Sequence, residues 1–244
     1  MSSRLWRSAA AVAGVALLGA GVYTWWSRRQ KPADAGVISV SLLPVENQSG
    51  DPALDWTESV VAYSLVRQLE GASNLNVMAA SSRAEAAGAG ATRQVECLVT
   101  RHAGQAQVRF LIYAQSPGRL LAEGVATAPA GDSPALLDQL GRRLAAALGA
   151  PQAGRPAAFH SAASVREFDA ALRHPAEAPA RLESAAMADP ACGWCWLAWA
   201  EAEVRAGSPP RAAAVLDRAR PSSSRFDPVS RARLELLESE LKPN

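Results

Sequence analysis

The chain has 244 residues, a formal net charge of +2, 49% hydrophobic and 20% charged residues, an ordinary composition for a globular protein. Basic residues cluster only around one N-terminal segment, and elsewhere arginine alternates with aspartate and glutamate, so the electrostatic footprint of a nucleic-acid binder is missing. The three cysteines, Cys97, Cys192 and Cys195, are an odd number and argue against a disulfide framework.

Residues 8–26 form an uncharged stretch long enough, at about 1.5 Å per residue, to span the ~30 Å hydrocarbon layer. Arg4 and Arg7 precede it, and Arg28, Arg29 and Lys31 follow. Trp6 at one edge and Tyr23, Trp25 and Trp26 at the other stand where an aromatic belt sits, so Trp6, Trp25 and Trp26 are expected to anchor a single membrane-spanning helix in the bilayer. The competing reading, a cleaved signal peptide, requires a small-x-small site, but the run ends in Tyr-Thr-Trp-Trp. Ala10/Gly14 and Ala16/Ala20 would allow two such helices to approach closely, leaving a homodimer through the anchor open. Residues 1–7 then form a short tail and residues 27–36 a polar tether.

Residues 37–149 read as a small α/β domain. Val37–Leu43 is an apolar, β-branched run suited to a buried strand. Asp51 and Pro52 mark a helix start, Leu54, Val61, Leu65 and Leu69 recur at helical spacing to Leu69, and Gly71 stops the helix. Leu75–Ala79 reads as a second strand, and the Ala/Gly-rich Ser81–Thr92 as either a poor helix or a loop. Val95–Arg101 and Gln107–Ala114 form a hairpin around His-Ala-Gly-Gln-Ala, with Val95, Cys97 and Val99 on one face of the first strand and Val108, Phe110 and Ile112 on one face of the second. Leu120–Thr127 is a third strand. Ser133–Leu148 is an amphipathic helix, capped by Ser133, with Leu136, Leu137, Leu140, Leu144 and Leu148 as its stripe. The fold class expected is α+β, with helices on a mixed sheet.

Residues 150–158 read as a Pro/Gly linker, and residues 159–244 as helical with a period of about 34 residues. Trp196, Trp199, Ala200, Gly207, Ala212, Leu216 and Ala219 follow the tetratricopeptide pattern, in which small residues let paired helices approach and large ones fill the gap. Pro175, Ala178, Leu182, Ala185, Asp189 and Pro190 fit the second half of a preceding unit, and Val229–Leu241 a capping helix.

The segment Val-Ser-Leu-Leu-Pro-Val-Glu-Asn-Gln-Ser-Gly-Asp-Pro at 40–52 resembles the opening strand and loop of TolB-like (FlgO-like) α/β domains. The resemblance implies a strand order that the later hairpin and third strand match, no catalytic residues, and the layout of bacterial transmembrane regulators, in which such a domain and tetratricopeptide repeats follow one membrane helix. Those relatives carry an effector domain before the helix; here residues 1–7 leave room for none. The layout also implies an inner-membrane protein with its C-terminal region in the periplasm.

Cys192-Gly-Trp-Cys195 is the one reactive-looking motif, open to three readings: two small packed residues, a local disulfide, or redox or metal chemistry. No second pair completes a zinc site. His102, His160 and His174 are far apart and read as surface residues. With no nucleophile–base order, phosphate loop or paired carboxylates, no catalytic residue, cofactor or metal is expected. Trp196 and Trp199 read as repeat core and Trp194 as an exposed partner contact. The expected function is a non-enzymatic scaffold or accessory subunit of a bacterial envelope complex that binds protein partners through its repeats. The alternatives are a ligand-sensing module serving a separate membrane regulator and a redox accessory protein using Cys192 and Cys195.

Overall fold

A computed structural model of the chain describes residues 37–70, 72–116, 118–150 and 158–241. The anchor, with Trp6, Trp25 and Trp26, lies outside the described residues, as does Gly71; among those described, no helix is long and apolar enough to cross a membrane. Residues from Ile38 onward form one compact unit.

The strands are β1 (Ile38–Leu42), β2 (Glu46–Asn47), β3 (Leu75–Ala79), β4 (Arg93–His102), β5 (Gln105–Ala114) and β6 (Leu120–Pro129). Their order is β3-β1-β4-β5-β6, with β2 paired to β4. β1 runs parallel to β3 and β4, while β4, β5 and β6 are antiparallel, so the sheet is mixed. The hairpin is tighter than its sequence suggests: His102 pairs with Gln105, leaving Ala103 and Gly104 as a two-residue turn with φ of 49° and 78°. Two successive left-handed residues match the strand twist of a hairpin.

Helices α1 (Thr57–Leu69) and α3 (Ser133–Ala147) cover one face of the sheet. The start of α1 differs from expectation. Asp51 and Pro52 begin only a short 3-10 turn, Pro52–Leu54, and the α-helix starts afresh at Thr57. In α3 the cap is Asp132, whose carboxylate accepts from the Ala135 N–H, rather than Ser133. The ambiguous segment contains a short helix, α2 (Arg83–Gly88), capped reciprocally: Ser82 Oγ accepts from the Glu85 N–H, and Glu85 accepts from the Ser81 N–H.

Val95, Cys97, Val99, Val108, Phe110 and Ile112 point into the core beneath α1 and α3. On β6 the core-facing positions are small, Gly124, Ala126 and Ala128, and a Cβ on Gly124 would lie 2.7 Å from Phe110 Cε1. Small residues there make room for the Phe110 ring.

The second half is α4 (Ala162–Arg173), α5 (Ala178–Ala188), α6 (Gly193–Arg205), α7 (Pro209–Ala219) and α8 (Pro228–Leu241), each packed on the next. The Asp189 carboxylate, 4% exposed, ties the α5–α6 corner to the start of α4 by accepting from the His160 N–H at 2.5 Å and Ser164 Oγ at 3.4 Å. His160 keeps its ring at the surface, with Nδ1 3.3 Å from Asp189 Oδ1.

Beside a small separate cluster of Leu43, Ala80, Ala86 and Ala91 beneath α2, one large hydrophobic cluster runs through both halves. Its join is aromatic. Tyr63 of α1 packs on Phe168 of α4 at 4.8 Å, Phe168 on Phe159 at 5.2 Å, and Phe159 edge-on to Trp194 at 5.8 Å. Arg173 binds Asp169 at 2.8 Å and also donates to the Asp55 carbonyl, while Ser59 Oγ donates to Asp169.

Candidate functional site

The structure corrects the expected exposure of Trp194: the side chain is buried, 6% exposed. The reason is the helix that carries it. Residues 193–200 of α6 are buried without interruption, together with Ala202 and Glu203, and a helix buried on every side has no outward face on which to present a tryptophan. Trp196 and Trp199 are core, stacked at 5.8 Å, with indole N–H groups donating to the Pro190 carbonyl and to Glu203.

Cys192 and Cys195 are joined as a local disulfide with Cα atoms 5.4 Å apart. Cys192 is the N-cap of α6, its sulfur accepting from the Cys195 N–H at 3.2 Å. Both cysteines are fully buried. Between them, Gly193 permits the close approach of α8: a Cβ there would lie 2.6 Å from Ser230 Cβ and 3.0 Å from Phe226. The Cys-Gly-Trp-Cys turn therefore seats Trp194 against α1 and α8. Cys97 is separate and buried beneath the sheet helices, and burial, with Glu96 adding to it, pushes its thiol up to about 12.

The cavity that Trp194 helps to enclose holds about 250 Å³ and is lined from three segments distant in sequence. Tyr63, Arg67 and Glu70 come from α1, Trp194, Leu197 and Glu201 from α6, and Asp227, Val229, Ser230 and Arg233 from the start of α8. On α1, the spacing of Tyr63, Arg67 and Glu70 stacks them along one face. Arg67 lies over the Tyr63 ring, 5.4 Å from its centre, and reaches Glu70 at 3.2 Å. Tyr63 meets Trp194 edge-on at 6.2 Å, so aromatic surface makes one wall. Arg233 faces Glu201 at 3.5 Å. Asp227 caps α8, accepting from the Val229 and Ser230 N–H groups at 3.0 and 3.1 Å and from Ser230 Oγ.

Burial raises the Tyr63 phenol, which Arg67 only partly offsets, so Tyr63 stays neutral and able to donate. Burial alone would weaken the Arg67 charge, but its partners more than reverse this and its pKa is raised; while Tyr63 is neutral, Glu70 is the partner that supplies opposite charge. Among the described residues no three metal-ligating side chains converge. What the arrangement can do is bind: it offers an aromatic wall and charged groups of both signs. Taken one at a time, Arg67, Glu70, Glu201 and Arg233 read as ordinary helix surface. The one signal available was the Tyr63–Arg67–Glu70 spacing.

A second feature is the edge strand β6. Among the described residues β5 is its sole neighbour in the sheet. Leu121 and Val125, 39% and 37% exposed, lie on the face away from Ala126 and Ala128, and Leu120 at the strand's start is 46% exposed. Its one charged side chain, Glu123, is held by Arg109 at 2.5 Å. The Thr127 N–H points off the edge and is taken by Gln139 of α3. By the two-residue alternation of a strand, the N–H groups of Glu123 and Val125 also face outward.

No family model matches the chain, and no curated protein matches it in sequence. Among solved structures it is weakly similar to TolB from Acinetobacter baumannii, at 14% identity over 50% of this chain with a TM-score of 0.34; the chain spans 30% of that protein. It is also weakly similar to the PelC dodecamer from Paraburkholderia phytofirmans, at 18% identity over 49% of this chain and 92% of PelC with a TM-score of 0.35. The lipoprotein GNA1162 from Neisseria meningitidis matches at 14% identity over 46% of this chain and 94% of the lipoprotein, with a TM-score of 0.32.

Proposed function

We propose that this chain is a non-enzymatic binding protein, held at the bacterial inner membrane by residues 8–26 with its folded part in the periplasm, where it serves as an accessory subunit of an envelope assembly. In this reading residues 37–149 are a TolB-like layer and the helices from Ala162 to Leu241 are tetratricopeptide-like hairpins. The observation that carries the proposal is β6. A ten-residue edge strand normally carries charge, proline or a bulge against unwanted pairing. β6 carries a single paired charge, a break in register at Leu121, which has no partner on β5, Pro129 at its end and Gln139 over one N–H; between Ala122 and Ala126 it pairs regularly with β5 and presents Val125 outward, with Leu121 exposed beside it. An extended segment of a protein partner would gain main-chain hydrogen bonds at residues 123 and 125 and apolar contacts with Leu121 and Val125.

The test is affinity purification of the tagged full chain from its native membrane in mild detergent, beside Val125→Lys. We expect stoichiometric partner proteins with the wild type and their loss with the variant. Recovery of the wild-type chain alone, or an unchanged partner set with a folded Val125→Lys protein, refutes the proposal. A second reading, a ligand-sensing module, is favoured by the cavity at Trp194.

A further inference from the structure

The cavity between α1, α6 and α8 has a donor and acceptor balance that selects its ligand. The three carboxylates in its wall outnumber the two guanidiniums, and every carboxylate is already engaged: Glu70 by Arg67, Glu201 by Arg233, and Asp227 by three donors of its own helix turn. Each guanidinium carries five N–H donors. Glu70 takes Arg67 through one terminal nitrogen, with Tyr63 a further partner, and Glu201 takes Arg233 through one terminal nitrogen at the long distance of 3.5 Å. By donor count, N–H groups of both guanidiniums therefore remain for a ligand. A simple anion still meets a wall with net negative charge, and a simple cation meets two guanidiniums. A group carrying both charges a few bonds apart would satisfy both at once, its carboxylate toward Arg67 and Arg233 and its ammonium toward Glu201 and Glu70, all of which line the one cavity. The remaining wall, Tyr63, Trp194, Leu197 and Val229, is aromatic and aliphatic. Size narrows the class further. At about 250 Å³ the cavity lies below the range of about 300–1,000 Å³ that drug-sized ligands and nucleotides occupy.

We propose that this cavity binds a free α-amino acid with an apolar side chain, its two charges held between the Arg67–Glu70 and Arg233–Glu201 pairs and its side chain against Tyr63 and Trp194. The site is independent of β6, and the interaction proposed there stands or falls separately.

Calorimetric titration of the purified full chain in detergent tests this, with phenylalanine and leucine as ligands and with phenethylamine and 3-phenylpropionate as analogues lacking one charge each. Binding of phenylalanine or leucine is expected, with each single-charge analogue at least about tenfold weaker. Arg233→Ala, at a side chain 45% exposed, is expected to keep the fold by circular dichroism and to weaken the amino acid about tenfold or more. Glu201→Gln should weaken it as well, and Val125→Lys should leave it unchanged. The proposal is overturned if neither amino acid binds at up to about 1 mM, if either analogue binds as tightly as phenylalanine, or if a folded Arg233→Ala protein binds as the wild type does.

Discussion

The sharpest structural prediction concerns Gly141. It sits in α3 where α1 crosses, opposite Gln68, which is fully buried. The Gln68 amide donates to Ser64 Oγ at 2.8 Å and to the Leu137 carbonyl at 3.2 Å, while its Oε1 has no hydrogen-bond partner. A Cβ built on Gly141 would overlap Oε1 and lie 2.5 Å from Cδ, so the glycine Cα–H is what Oε1 faces, a weak contact at best. In an exposed helix, Gly→Ala stabilises by about 1 kcal/mol. Here the new methyl must displace a side chain with no exposed route out. Overpacking costs about 1–3 kcal/mol, and an amide stripped of its acceptors costs a further 1–3 kcal/mol or so. Gly141→Ala should therefore destabilise the protein by about 2–4 kcal/mol, read as a lower urea midpoint at unchanged slope. Adding Gln68→Ala removes the obstruction, so the two substitutions should couple favourably by about 1 kcal/mol or more. A Gly141→Ala protein as stable as the wild type, or strictly additive effects, would refute this account of the α1–α3 crossing.

Two further expectations follow from the core. Phe168, fully buried between Tyr63 and Phe159, should cost about 3–5 kcal/mol when changed to alanine, and unfolding should remain a single transition when followed by both tryptophan fluorescence and far-ultraviolet circular dichroism. Two separated transitions would show that the halves do not share a core. Cys97 keeps its proton in the folded protein to about pH 12, against an ordinary value of 9.0. Because the folded form holds that proton more tightly than the unfolded chain does, its contribution to stability is complete below pH 9 and is lost as pH rises toward 12. A maleimide should label Cys97 at pH 8 only in denaturant, and rapid labelling of the native protein would contradict its burial.

Much of the fold could be read from local patterns. Leu75–Ala79 is a strand as read, and the leucines of α3 and the alternating residues of β4 and β5 face the core as their periodicities require. Two features lie outside that reading and a third, the helix in Ser81–Thr92, is one of two readings it leaves open, each for a distinct reason. The insertion of β1 between β3 and β4 is a long-range pairing that no local pattern encodes. The hairpin turn uses Ala103 at positive φ, a conformation for which glycine or asparagine is the usual sign. Helix α2 was signalled by Ser82 and Glu85 at capping-box spacing, but its Ala/Gly content masked it. The candidate cavity was the least legible feature, because its walls come from α1, α6 and α8, which only the packing of the two halves brings together.

The burial of Trp194 also shifts where a protein partner is to be sought. The helical half was the expected contact region, yet its tryptophans are spent on internal packing. Its large exposed apolar side chains, Leu172, Met187, Val204 and Leu236, fall on four different helices. Single exposed apolar residues scattered in this way are normal for any soluble surface. On β6, by contrast, Leu120, Leu121 and Val125 lie within six residues of one strand, where outward main-chain donors accompany them. Side-chain burial without backbone pairing gives little register, and backbone pairing without side-chain burial gives little selectivity. β6 supplies both along the same short stretch, which is why a partner search directed at the helices alone would look at the less suitable half of the molecule.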